Sequence, residues 1–203
     1  MCYSRPEPYQ LYAEYLISKG DTKEARKLFL RAATHLRSGK GLSKLYHSWS
    51  LLEMSTGNLS RSDKLLDLSL QCVPRIDPKK MFRVISRRTS QPKEVLLAKE
   101  KAEILFEKAK LSDIMGDKDK SRNLVSQCLC YDPTMSSAWE FWSKLVESDD
   151  ESLAAEIRSQ ANIARRGVID VSGVRQMGKT PWENVYNIGH ESNSLKSLVI
   201  SQG

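Results

Sequence analysis

Trp49-Ser50-Leu51-Leu52-Glu53-Met54-Ser55-Thr56-Gly57-Asn58-Leu59-Ser60-Arg61-Ser62 is the stretch that decides the fold. Seven residues before Gly57 stands a small residue, Ser50, and five after it another, Ser62. Leu66 follows at nine, Ser69 at twelve and Pro74 at seventeen. The first four offsets, counted from Gly20, reach Ala13, Ala25, Phe29 and Ala32. Counted from Gly116, they reach Ala109, Ser121, Val125 and Cys128, with Pro133 closing the unit. A pattern that recurs this way marks a stacked repeat.

The offsets have a physical reading. Two antiparallel helices cross closely only where both present small side chains, so Ala13 is expected to face Ala25, and Ser50 to face Ser62. Glycine ends the first helix in a left-handed cap that a side chain would resist. The large residue nine places on fills the space toward the neighbouring hairpin, and proline stops the second helix. A fourth unit follows without a glycine. There Asp150 takes the turn position, and Trp139, Trp142, Ser143 and Ala155 fall where aromatic, large, small and small residues are wanted.

The spacing resembles the tetratricopeptide repeat (TPR). In the first unit the resemblance is carried by Tyr9, Tyr12, Ala13, Gly20, Asp21, Ala25, Phe29 and Ala32. In the second it is carried by Tyr46, Trp49, Ser50, Gly57, Ser62, Leu66, Ser69 and Pro74. Two runs are similar to the half-a-TPR (HAT) variant: Trp49-Ser50-Leu51-Leu52-Glu53, an aromatic-x-x-x-Glu helix, and Ala25-Arg26-Lys27-Leu28-Phe29 in a second helix. Lys108 and Ser112 in unit three, and Val146 in unit four, depart from that pattern. Residues 6–166 carry the likeness, which implies an all-α, right-handed TPR/HAT-type α-solenoid of about four helical hairpins with an irregular C-terminal tail. It also implies a binding scaffold within an RNA-processing assembly. In such families the first helices line a concave groove, which here places Tyr46, Ser50, Glu53, Lys108 and Lys110 as groove contacts. Tyr12, Trp49 and Trp142, at equivalent places, are expected as core packing between hairpins rather than as a base-stacking ladder.

The expected organisation is two repeats over 1–74, a basic inserted loop over 75–93, two more repeats over 94–166 and an irregular tail over 167–203. A chain of 203 residues with 40% apolar content suits an elongated stack in which each repeat buries one face. No apolar run approaches the roughly 18 residues of a membrane helix. The N-terminus has no apolar signal core, and a start almost inside a repeat suggests the C-terminal part of a longer solenoid.

The interval from Gly57 to Gly116 is 59 residues, about 25 more than one unit of the 34-residue repeat needs. Seven basic residues and one acidic lie between Arg75 and Lys93, which puts +6 there out of a net +7 for the chain. Lys79, Lys80, Phe82, Arg83, Arg87 and Arg88 are therefore the candidates for gripping RNA or an acidic partner, by charge and by stacking on the ring. Arg87-Arg88-Thr89-Ser90 also matches a minimal site for basic-directed kinases. From Lys93 to about Met115 a long helix is expected, with Ala98, Ala102, Leu105, Phe106 and Ala109 as its apolar stripe.

Other chemistry is argued against. Gly173-Val174-Arg175-Gln176-Met177-Gly178-Lys179-Thr180 fits the phosphate-loop pattern letter for letter, but Pro181 follows where a helix should continue. Val168-Ile169-Asp170-Val171 makes a feeble preceding strand, and too little chain remains for a parallel sheet. Cys128-Leu129-Cys130 has poor metal-ligand spacing with no histidine near, so the four cysteines read as reduced thiols in an intracellular protein of nucleus or organelle. The expectation is a non-enzymatic scaffold with no cofactor, metal, membrane or small-molecule substrate. Its partners are proteins, and RNA through the insert. Two alternatives stand beside it: a general TPR adaptor with no RNA role, and a P-loop nucleotide-binding fragment. Pro181-Trp182 and Tyr186 are isolated anchors in a tail rich in Gly, Ser and Asn.

Overall fold

Gly20, Gly57 and Gly116 leave their helices with φ of +80°, +80° and +86°. A β-carbon in that region crowds the neighbouring carbonyl, so glycine adopts it at least cost. Each turn then closes with the same pair of bonds. In the second unit the Gly57 N–H returns to the Met54 carbonyl at 3.1 Å, and the Asn58 N–H reaches the Glu53 carbonyl at 2.8 Å. The first and third turns repeat this through Gly20 and Asp21, and through Gly116 and Asp117. This satisfies carbonyls that the helix end would otherwise leave bare.

The computed structural model describes residues 6–36, 41–76 and 92–165. Eight helices and no strand occur among them: α1 Glu7–Ser18, α2 Thr22–His35, α3 Leu42–Ser55, α4 Leu59–Cys72, α5 Pro92–Ile114, α6 Lys118–Tyr131, α7 Ser136–Glu147 and α8 Glu151–Arg165. Consecutive helices pair as hairpins, so the protein is all-α and TPR-like. The chain divides into two compact units, Met1–Arg75 and Ile76–Gly203. Each contains two hairpins.

In the first unit Ala13, Ala25, Phe29 and Ala32 are buried with Leu45, Trp49 and Leu52 in one cluster. Phe29 of α2 stacks on Trp49 of α3, with ring centroids 5.8 Å apart and planes 9° from parallel. The small-residue pairs make direct contact. The Ser62 hydroxyl donates to the Ser50 carbonyl at 2.9 Å, and the Ser121 hydroxyl to the Ala109 carbonyl at 2.8 Å. Those bonds form only where two helix backbones nearly touch. A further one, from Ser69 to the Ser43 carbonyl at 2.7 Å, ties the far ends of α3 and α4. At the start of α3, Gly41 has φ of +101°, and a β-carbon there would sit 2.7 Å from the Pro6 ring.

In the second unit α5 runs 23 residues, and Ala98, Ala102, Leu105, Phe106 and Ala109 are all buried. The fourth hairpin corrects one expectation. Ala155 is exposed, whereas Ala154 is wholly buried. The Asp150 N–H bonds to the Val146 carbonyl, four residues back instead of five, because no left-handed glycine opens the turn. Asp150 is the helix cap, accepting from the Leu153 N–H at 3.0 Å, as Asp21 and Asp117 do for their helices. The turn position therefore belongs to Asp149, and the second helix slips by one residue. A second correction concerns Tyr12, which is 54% exposed and stacked on Tyr15, whereas Trp49 and Trp142 are buried. No preceding helix among the described residues covers Tyr12 as α2 covers Trp49.

Lys79, Lys80, Phe82, Arg83, Arg87 and Arg88, the phosphate-loop look-alike and Trp182 lie outside the described residues.

Candidate functional site

The groove candidates fall on α3 and α5, and burial separates them. Tyr46 is half-buried and packs against the first unit's core. Ser50 is buried, its hydroxyl turned back to the His47 carbonyl at 2.6 Å. Glu53 is 0% exposed. Neither Ser50 nor Glu53 offers a ligand any side-chain surface: the first serves the close helix crossing, the second an ion cluster. Lys108 takes the place of Trp49 in its repeat and is buried accordingly, at 7% exposure. Lys110 is half-buried, its ammonium 2.8 Å from Glu107 and 4.3 Å from the Phe106 ring centre. Of the five, Tyr46 and Lys110 keep partial exposure.

Glu53 is the centre of the most concentrated polar chemistry described. One carboxylate oxygen accepts from Arg26 Nε at 2.9 Å and from Trp49 Nε1 at 3.0 Å. The other accepts from an Arg26 terminal nitrogen at 3.1 Å and from Asn58 Nδ2 at 2.8 Å. Arg26 also donates to Thr56 Oγ1 at 2.9 Å. Arg61 Nε stands 3.6 Å from the carboxylate, its guanidinium 5.2 Å over the Trp49 ring. Burial alone would raise the Glu53 carboxyl. Hydrogen bonds from Arg26, Asn58 and Trp49, with the Arg61 charge, outweigh it and hold the group below its ordinary value. The forked Arg26 contact joins the second helix of one hairpin to the first helix of the next.

The second unit repeats the device. Arg122, like Arg26, lies six residues past its repeat glycine. It donates to the Leu145 carbonyl at 2.6 Å and pairs with Asp149 in the turn of the following hairpin. The recurring arginine is a signal present in the sequence and missed when only small and large apolar positions are tracked. Its partners could not be read, because Asp149 and Glu53 hold different offsets.

Burial pushes the Cys130 thiol up to about 11 and the Cys128 thiol higher still. Among the described residues no group of His, Cys, Asp and Glu has the arrangement of a metal site, and no helix is long and apolar enough to cross a membrane.

No family model matches the chain, and no curated protein matches it. Among solved structures, similarity is found to BtubC (BKLC) from P. vanneervenii, with a TM-score of 0.62 and 13% identity over 95% of this chain and 80% of that one. At that identity the likeness bears on the fold alone. MamA 41-end from Desulfovibrio magneticus RS-1 aligns at a TM-score of 0.32 and 14% identity, covering 81% of this chain and 97% of its own. A MamA RS-1 double mutant aligns at 0.34 and 13%, covering 80% and 95%. Those two scores are too low to carry an argument.

Proposed function

We propose that this protein is a non-catalytic helical-repeat scaffold that holds a partner protein within an RNA-processing assembly, its basic insert contacting RNA. The observation that carries the scaffold reading is the repeated arginine joint between hairpins. Arg26 and Arg122 each reach into the next hairpin, which ties neighbouring helices at a set spacing. Regularly spaced helices suit the binding of an extended peptide or helix, and the side chains proposed to meet one are Tyr46 within the first unit and, separately, Lys110 within the second. The RNA part rests on sequence: the HAT-like runs around Trp49 and Arg26, and the +6 charge concentrated between Arg75 and Lys93. Lys79, Lys80, Arg83, Arg87 and Arg88 supply the charge, with Phe82 as the stacking surface.

Affinity capture of the intact chain, with and without nuclease treatment, tests this reading. Partners that persist after nuclease, together with RNA that crosslinks to residues 75–93, are expected. Proteins retained with no RNA in either sample would leave a plain TPR adaptor, and loss of every partner would remove the scaffold.

A further inference from the structure

The turn of the second hairpin opens onto a cleft of about 780 Å³ lined by Arg26, Arg61, Lys64 and residues 57–60. Three cations border it, and one carboxylate, Glu53, stands behind them. That carboxylate is already filled: its two oxygens accept four hydrogen bonds, from Arg26, Trp49 and Asn58, before Arg61 is counted. Arg61 is held over the Trp49 ring and half exposed, and the Lys64 side chain is exposed, so the cleft carries surplus positive charge at its mouth. The start of α4 adds to it. Asp21, Asp117 and Asp150 cap their helices by accepting a backbone N–H, whereas Asn58 turns its amide to Glu53 and Thr56 and makes no such bond. Of the first amides of α4, those of Leu59 and Arg61 donate to the Gly57 and Asn58 carbonyls at 3.0 and 3.1 Å, so the helix start contributes its dipole beside the cleft more than open donors.

We infer that this cleft binds a phosphate monoester, carried as a phosphorylated side chain of a partner protein. The chemistry favours a compact dianion. Arg61 and Lys64 stand three residues apart on α4 and border one cleft with Arg26. They make a short cationic edge instead of a stripe along which a polynucleotide could run, and a phosphoserine brings up to about two charges and three acceptor oxygens to it. Trp49, the aromatic residue at hand, is buried beneath Arg61 and offers no face for a base to stack on. Arg26 cannot be spared for the ligand alone, since it holds Glu53; Arg61 and Lys64 are the ligand's own cations. The inference stands whether or not the basic insert meets RNA.

The test uses the intact chain. Acetyl-Gly-phosphoserine-Gly-amide, its unphosphorylated form and hexauridylate are titrated separately while the amide signals of Leu59 and Ser60 and the Arg61 Nε–H signal are followed. The phosphopeptide should shift all three saturably, with a Kd on the order of millimolar for so short a ligand. Arg61→Gln with Lys64→Gln should weaken it at least about tenfold. Arg61 also meets Glu53 at 3.6 Å, so this pair should lose some thermal stability. Lys64→Gln alone, at an exposed side chain, should weaken binding with thermal unfolding unchanged. Lys64→Glu alone should also weaken it, and Arg61→Lys should keep part of the affinity. Equal shifts from phosphorylated and unphosphorylated peptide, or full affinity in the Gln and Glu variants, would overturn the inference. Hexauridylate saturating the same signals more tightly than the phosphopeptide would overturn it too, by making the cleft a nucleic-acid site.

Discussion

A carboxylate with no exposed surface persists in this fold because four donors and a second guanidinium surround Glu53. Removing it leaves Arg26, Trp49 Nε1 and Asn58 without their acceptor, so Glu53→Ala should cost about 3–5 kcal/mol. Urea unfolding measures the loss, and amide exchange in α2 to α4 localises it to the first unit. Arg26→Ala should be costly for the converse reason, since Glu53 would keep its burial and lose its principal partner. The pH dependence follows from the lowered Glu53 carboxyl. A group more acidic when folded contributes fully above its unfolded value, near 4.3 for glutamate, and the contribution is lost as pH falls from there through the lower folded value. The stability gap between the native chain and Glu53→Gln should therefore be wide at neutral pH and close below about pH 4; a gap that stays constant to pH 3 would show that the charge does not matter. Thiol chemistry gives a separate check. Burial holds Cys130 at about 11 and Cys128 higher, so at neutral pH iodoacetamide should spare Cys128 until the protein unfolds.

At the scale of the helical hairpin, turn geometry and close crossing can be tested separately. A β-carbon at Gly57 would meet nothing within 4 Å, so Gly57→Ala carries backbone strain alone, about 1–2 kcal/mol. Gly41→Ala adds a 2.7 Å clash with the Pro6 ring to its own positive φ and should cost more. Thermal unfolding of the two variants side by side decides this. The crossing itself is probed by Ser62→Ala, which gives up one hydroxyl bond at about 1 kcal/mol, against Ser62→Leu, which forces α3 and α4 apart at about 1–3 kcal/mol or more. These features were legible in the sequence because they are local. Gly20, Gly57 and Gly116 announce left-handed turns, and Ser50 with Ser62 announces a close approach that a hydroxyl-to-carbonyl bond then records. What escaped is what depends on the neighbour. Asp150 holds the right count from Ser143 to stand in for glycine, yet without a left-handed residue the turn tightens and Ala154 is buried in place of Ala155. Ser50, Glu53 and Lys108 stand at a groove by analogy alone: Ser50 is closed off by Ser62 of its own hairpin and Glu53 by Arg26 of the preceding one, and Lys108 is buried. Tyr12 failed in the opposite sense, lacking the covering helix that Trp49 has.

For the molecule as a whole, the distribution of charge is more telling than its sum. Of a net +7, +6 lies between Arg75 and Lys93, so the rest of the chain is close to neutral and a polyanion would be drawn to one segment. If Lys79, Lys80, Arg83, Arg87 and Arg88 each engage one phosphate of single-stranded RNA, log Kobs should fall with log salt at a slope near −3.5, about 0.7 per contact. Reversing Arg83, Arg87 and Arg88 to Glu removes three of those contacts and should flatten the slope by about 2. Substituting Phe82 by Ala should lower affinity without moving the slope, because stacking releases no counterions. The cleft at Arg61 and Lys64 supplies an internal contrast. Arg61→Gln with Lys64→Gln should leave the RNA slope where it was, since those residues are assigned to a protein-borne phosphate. A slope that ignores the three reversals and follows Arg61 and Lys64 would transfer the RNA contact from the insert to the second hairpin. Fluorescence anisotropy of a labelled oligouridylate across a salt series reads every one of these slopes on the same chain, so the two basic sites are compared under one set of conditions.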